Sequence, residues 1–316
     1  MTIAVVFSPQ GSQAVGMGRA LADVSSAARA VFAEADAILG WPVSETCWNG
    51  PADRLDDTRQ TQPCLLATSI AALRALEERV PLAPSHVAGH SVGEYAALVA
   101  AGVLELPAAL RLVARRGELM AAAGGQGGMA AVIGLDRATV QRVVDAVGRP
   151  TELVVANDNA PGQVVISGEP EVLAAAESAM REAGARRVLR LPVSGAFHSP
   201  LMAPVAEALA EAFDAESWRD ARIPVISNVT AEPLTDAARI RALLAEQVRS
   251  PVEWVRSVRR LAAEGVDLVV ECGSGGALVG MARRIVPGIR LGHVADAESL
   301  RVTAALVGAP AEASVS

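Results

Sequence analysis

The sequence predicts an α/β protein: a mainly parallel sheet flanked by helices, with an inserted small unit of β-α-β-β-α-β order. Three observations lead there. Short apolar runs of the kind buried on both faces of a parallel sheet occur at residues 3–7 (IAVVF), 223–227 (IPVIS) and 266–272 (VDLVVEC). Long Ala/Leu segments with helical spacing lie between them. The middle of the chain then changes character, after a glycine-rich joint at Gly124, Gly125, Gly127 and Gly128.

Taken in order, the first strand ends at Phe7 and enters the turn-rich loop SPQGSQ. SHVAG (85–89) reads as a short buried strand. Beyond the joint, MAAVIGL (129–135) is a strand, and a polar helix starts near Asp136. ELVVAN (152–157) and GQVVISG (162–168) form a strand pair around the turn DNAPG. A helix over 170–183 and a strand within RRVLRLPVS (186–194) close the unit. That order is the ferredoxin-like plan. The expected organisation is a core made of residues 1–125 and 196–316, with a small subdomain at 126–195. The final GAPAEASVS is expected to be disordered.

Composition narrows the function. A net charge of -7 argues against nucleic acid as the main partner. With 51% hydrophobic but only 3% aromatic residues, Leu, Val and Ala must fill the core. Cys47, Cys64 and Cys272 lie far apart with no Cys-x-x-Cys, so they read as reduced, buried thiols of a cytoplasmic protein. MTIAVVFSPQ lacks a basic region and a long apolar run, so no signal peptide is expected. The most apolar stretch, 96–114, is interrupted by Glu105, Pro107 and Arg111, so no membrane span is expected.

One stretch carries chemistry. Gly89-His90-Ser91-Val92-Gly93 places a serine between glycines, after a short strand. Val92, Tyr95, Ala96, Val99, Ala100 and Val103 follow at helical spacing. Strand, Gly-x-Ser-x-Gly and helix make a nucleophile elbow, in which a strained turn presents the hydroxyl and the Val92 amide faces a developing oxyanion. An incidental serine in a glycine-rich turn is the alternative. A serine nucleophile needs a base. Of the four histidines, His86 and His293 read as core or surface residues, and His90 should diverge from its neighbour. His198 precedes Ser199, a natural N-cap, and Pro200, a natural first helical residue. The helix dipole there disfavours imidazolium and leaves a neutral base.

With these residues in place, the chain resembles the malonyl-CoA:acyl carrier protein transacylases, the acyltransferase family of fatty acid and polyketide synthesis. The resemblance covers about residues 3–290. It rests on eight ordered blocks: QGSQAVGMG, TQPCLLATSIAALRAL, GHSVGEYAALVAAGVL, RGELM, NDNAPGQVVISG, GAFHSPLM, ISNVTAEP and QVRSPVEW. It implies an α/β-hydrolase-like core carrying a ferredoxin-like subdomain. Position by position, it makes Ser91 the acylated nucleophile and His198 its base. Arg116 becomes the grip on the malonyl carboxylate. Gln10 joins Val92 as an oxyanion donor. Gln247 holds the histidine through its backbone carbonyl, so no triad carboxylate is required. Gln62 matches a pocket glutamine, and Phe197 accompanies malonyl choice by crowding a 2-methyl group. Asn157 and Asn159 lie near the cleft, in a turn or a catalytic role. Malonyl-CoA and an acyl carrier protein are the implied partners, with no metal or redox cofactor.

Arginine suits its post physically, since a planar guanidinium binds a carboxylate with two parallel hydrogen bonds. Arg115 and Arg116 adjoin on one helix, so their side chains should diverge. Two departures from the family pattern stand out. Phe7-Ser8-Pro9-Gln10-Gly11 replaces Phe-Pro-Gly-Gln-Gly, and CGSGGAL (272–278) replaces a Gly-Pro-Gly turn. Rival readings are a serine esterase, the malonyl-loading subunit of malonate decarboxylase, a free-standing polyketide acyltransferase and a non-enzymatic carrier-binding module.

Overall fold

The computed structural model describes residues 1–309 apart from 126 and 194. The tail expected to be disordered lies, from residue 310 on, outside them. Ten strands are present among the described residues. They are β1 (Ile3–Phe7), β2 (His86–Gly89), β3 (Gly128–Ile133), β4 (Leu153–Ala160), β5 (Gln163–Gly168), β6 (Arg187–Arg190), β7 (Val225–Ile226), β8 (Pro233–Leu234), β9 (Leu268–Cys272) and β10 (Arg290–Val294).

The larger sheet runs β10-β9-β1-β2-β7-β8. All neighbours are parallel except β7 and β8. β1 sits centrally and shows why the chain needs helices on both faces. Ile3, Val5 and Phe7 point into one apolar core, with Ile70, Leu110 and Leu209. Ala4 and Val6 point into another, with Val258, Val269 and Leu278. A strand buried on both sides must be apolar throughout, as IAVVF is. The 22-residue helix Thr58–Arg79 lies in the first core.

The second sheet runs β4-β5-β3-β6, antiparallel throughout. With helices Arg137–Val147 and Pro170–Glu182 after its first and third strands, this is the ferredoxin-like order. Asp136 caps the first of these helices, accepting from the Thr139 amide (2.7 Å). The sheet is tied to the core: Asp158 donates to the Val252 carbonyl (3.0 Å), and Val252 returns a bond to Ala156 (2.8 Å).

Several elements differ from the sequence reading, the short β8 among them. DNAPG is not wholly a turn: β4 continues through Asn157, Asp158 and Asn159 to Ala160, with register shifts in that stretch. Only Pro161-Gly162 turns. The strand expected at 223–227 is limited to Val225–Ile226. β10 was not anticipated, because RLGHV leaves Arg290 and His293 exposed and carries no continuous apolar run. Cys47, Cys64 and Cys272 are buried and unbridged. Among the described residues, no helix is long and apolar enough to cross a membrane.

The serine turn lies between β2 and the helix Gly93–Ala100, and its two glycines are required by close packing. A Cβ on Gly89 would sit 2.0 Å from the Gly93 carbonyl, and one on Gly93 would sit 2.3 Å from the Phe7 carbonyl oxygen. Both obstacles are backbone, which cannot swing away. Gly93→Ala should therefore destabilise the protein by at least about 2 kcal/mol in denaturant unfolding. Unchanged stability would contradict this packing.

Candidate active site

Three neighbouring parallel strands deliver the site at their carboxyl ends, the usual place in such sheets. β1 leads to Gln10, β2 to Ser91 and β7 to Asn228. Ser91 has φ of 53°, the left-handed region that non-glycine residues avoid at a cost of roughly 1–2 kcal/mol. Asn228 holds it there. Its Oδ1 accepts from the Ser91 amide (2.7 Å), and its Nδ2 donates to the Gly89 carbonyl (2.6 Å). Asn228 is fully buried. Asn228 lies in the ISNVTAEP block, where the sequence alone assigns it no role, since only the fold brings it beside residues 89 and 91.

His198 also has a left-handed backbone, φ 58°, and its amide donates to the Val248 carbonyl (2.9 Å). Its Nε2 lies 2.8 Å from Ser91 Oγ. Its Nδ1 faces the Gln247 carbonyl (2.9 Å) and the Ser250 carbonyl (3.2 Å). Carbonyls only accept, so Nδ1 carries the proton and the Nε2 lone pair faces the serine. Burial, then the nearby Arg116 charge, push the His198 pKa down to about 3. The imidazole is neutral as expected, but the cause differs. Ser199 Oγ donates to the Ala196 carbonyl (2.6 Å) instead of capping a helix. A 3-10 turn at Pro200–Met202 separates the histidine from the helix Ala203–Phe213.

Arg116 lies on the helix Leu106–Ala122 and is 1% exposed, whereas Arg115 points outward to Glu118 (3.3 Å). The two arginines diverge as their adjacency requires. The Arg116 hydrogen-bond partners are all uncharged. Nη1 donates to Gln62 Oε1 (2.8 Å), and Nη2 donates to Ser91 Oγ (3.0 Å) and Gln247 Oε1 (3.1 Å). Its Nε has no partner among the described residues. The guanidinium carbon lies 5.9 Å from the Tyr95 ring centroid. Gln62 is fully buried behind the guanidinium and touches Arg116 and Met120. Gln247 is the crossing point: besides its backbone bond to His198, its Nε2 donates to the Ser91 carbonyl (3.0 Å) and to Glu94 Oε2 (2.6 Å). Burial pushes the Glu94 carboxyl up to about 7.

Above the serine opens a cleft of about 250 Å³. Gln10, Ser91, Asn157, Phe197 and His198 line it, with apolar walls from Met120, Met129 and Leu191. Arg116 meets it from below, through Ser91 Oγ. Among the described residues, the Gln10 and Val92 amides donate to no other group, which leaves both for a ligand oxygen. His90 diverges from the Ser91–His198 pair, yet it lines the same cleft and bonds Asn159 Oδ1 through Nε2 (2.8 Å). Ser8, in the altered loop, donates to the buried Glu271 (2.9 Å), which also accepts from the Leu278 and Val279 amides.

A strained serine at a strand-to-helix turn, hydrogen-bonded to a neutral histidine, has the geometry of a nucleophile elbow on an α/β fold. The chain belongs to the acyl transferase family, matching the acyl transferase domain over residues 4–285. It is 43% identical over 303 residues to the malonyl CoA-acyl carrier protein transacylase of Bacillus subtilis, which covers 95% of each chain. An acyl carrier protein S-malonyltransferase from Vibrio cholerae superposes with a TM-score of 0.93 at 39% identity, covering 96% of this chain and all of that one. A malonyl-transacylase solved with its type II polyketide synthase acyl-carrier protein superposes equally well, TM-score 0.93, at 40% identity, covering 96% and 99% of the two chains.

The depressed His198 pKa has a stability consequence. Unfolding returns the imidazole to about 6.5, so between there and about 3 the unfolded chain holds a proton that the folded one does not. The contribution of His198 is thus present above pH 6.5 and is lost as pH falls through that window. Wild type should lose stability faster than His198→Gln between pH 6 and 4, by about 1.4 kcal/mol per pH unit. Parallel pH profiles would show that the buried histidine is already charged.

Proposed function

We propose that this protein transfers a malonyl group from malonyl-CoA to the phosphopantetheine thiol of an acyl carrier protein, in the cytoplasm, through a malonyl-serine intermediate. The observation that carries the choice of acyl group is Arg116: a buried guanidinium beside the serine, bound only to uncharged groups and with an unpaired Nε.

In the first half-reaction Ser91 Oγ attacks the thioester carbonyl while its proton passes to His198 Nε2. The imidazolium is held by the Gln247 and Ser250 carbonyls at Nδ1. The oxyanion is received by the Gln10 and Val92 amides. The tetrahedral intermediate collapses, the C–S bond breaks, and CoA leaves as the thiol with the proton from His198. The unpaired Arg116 Nε is free for the malonyl carboxylate from the start, and once Ser91 Oγ is an ester oxygen and a poorer acceptor, one Nη2 hydrogen becomes available to it as well. The carrier thiol then attacks the ester, His198 takes its proton and returns it to Ser91, and the malonyl thioester departs. Phe197 and Asn157 line the acyl site, Gln62 sets the guanidinium from behind, and the unit 126–195 forms the second wall.

A mass spectrum after mixing with malonyl-CoA tests the chemistry. One malonyl group should appear on Ser91, with CoA released in a burst and slow turnover to water. Steady hydrolysis without an adduct would favour an esterase, and an adduct persisting in Ser91→Ala would remove the serine from its role.

Specificity provides a second prediction. Truncating one partner of a buried charge pair costs about 2–5 kcal/mol, roughly thirty- to several-thousand-fold in kcat/KM. Arg116→Ala should lose malonyl transfer by that order. Acetyl transfer strands no carboxylate, and removing the cation relieves one cause of the low His198 basicity, so it should hold or rise. An unchanged malonyl-to-acetyl ratio would show that Arg116 is not the carboxylate clamp.

A further inference from the structure

Glu94, three residues after the nucleophile, takes no part in the reaction as written, yet it is 4% exposed directly beneath the site. Its Oε2 accepts from the Gln247 side-chain amide (2.6 Å) and faces the Asn228 backbone amide (3.4 Å). A backbone N–H can only donate, so this oxygen remains an acceptor whether or not the other carboxyl oxygen is protonated. A side-chain amide has one donor end and one acceptor end. With its Nε2 held by Glu94 and the Ser91 carbonyl, Gln247 must present Oε1 to Arg116 Nη2 (3.1 Å).

We infer that Glu94 is a positioning residue for acyl-group selection: with the Ser91 carbonyl, and at the shorter distance of the two, it fixes which end of the Gln247 amide meets Arg116 and so holds the guanidinium where a malonyl carboxylate can bind. Turned the other way, the amide would set its N–H against an N–H of Arg116, and the guanidinium would move off that edge. The effect on the orientation of Arg116 passes through the Gln247 side chain, while the longer contact to the Asn228 amide is the one other hydrogen bond of the Glu94 carboxyl among the described residues. The backbone carbonyl of Gln247, which holds His198, does not depend on it. Loss of Glu94 should therefore spare transfer in general and impair malonyl transfer in particular. This inference rests on the reading of Arg116 as the carboxylate clamp.

The test compares kcat/KM for malonyl-CoA and acetyl-CoA in wild type, Glu94→Leu, Glu94→Gln and Gln247→Met. Glu94→Leu removes the acceptor and should lower the malonyl-to-acetyl ratio at least about tenfold, the scale of one lost hydrogen bond to a charged group. Glu94→Gln keeps an acceptor oxygen and should stay within about threefold of wild type. Gln247→Met removes the intermediary and should reproduce the loss of selectivity, which keeps the idea testable if Glu94→Leu does not fold. A Gln247→Met ratio equal to wild type overturns the proposal. So does an equal fall of malonyl and acetyl transfer in Glu94→Leu, which would mark a general structural role. Arg116→Ala separates the two levels. If it shifts the ratio and these variants do not, the positioning role fails and the clamp stands. If it leaves the ratio unchanged, the clamp itself fails.

Discussion

Taking a guanidinium out of water costs several kcal/mol, and Arg116 is held out of water beneath the nucleophile with uncharged oxygens around it. A built-in carboxylate would recover more of that cost, but it would also occupy the donors a substrate needs. Amide and hydroxyl oxygens satisfy most of the N–H groups while leaving the charge uncompensated at close range. The surrounding architecture follows from this compromise. Gln62 and Gln247 come from two different helices and bind different guanidinium nitrogens, the Tyr95 ring lies against the cation, and the Ser91 hydroxyl supplies a further acceptor.

The second constraint is backbone strain at both Ser91 and His198. Ser91 and His198 each occupy a left-handed conformation that costs roughly 1–2 kcal/mol. Neither is supported by its own turn alone. Asn228, from the end of β7, grips Ser91 from both sides of the turn, while the 247–250 segment binds His198 through three carbonyls. That segment continues to Val252, which pairs with β4 of the small sheet. His198, Ser91 and the second wall of the cleft are therefore joined by hydrogen bonds that each have a backbone group at one end or both. This rigidity maintains 2.8 Å between Oγ and Nε2.

Much of this was legible in the sequence where a local pattern has one physical meaning. Glycines flanking a serine between an apolar run and a helical face indicate an elbow, and β-α-β-β-α-β order indicates the small sheet. Adjacent arginines on a helix must diverge, and Arg115 and Arg116 do. The errors came where tertiary contacts decide. Asp158 to Ala160 look like a turn, yet β4 runs through them because Val252 pairs with its irregular end. β10 is an edge strand with polar residues outward, so it carries no buried run. Asn228 and Glu94 look like ordinary polar residues until the fold buries them against the elbow. His198 appears to be a helix-start residue, but its neutrality comes from burial and a neighbouring cation.

That last distinction bears on how acyl groups are told apart. A base with a pKa near 3 is poorly matched to accepting a proton at neutral pH. Of its two leading causes, burial is the same for every substrate, but the field of the Arg116 charge can be offset by a bound anion. A carboxylate seated on the guanidinium compensates that charge and makes the imidazolium less costly just when the serine must give up its proton. Acetyl-CoA brings no such compensation. The same arginine thus acts twice in the proposed reaction, by binding the carboxylate and by restraining the base until the carboxylate is bound. Selection for malonyl then lies in the transition state as well as in binding, where an interaction raises turnover and not affinity alone.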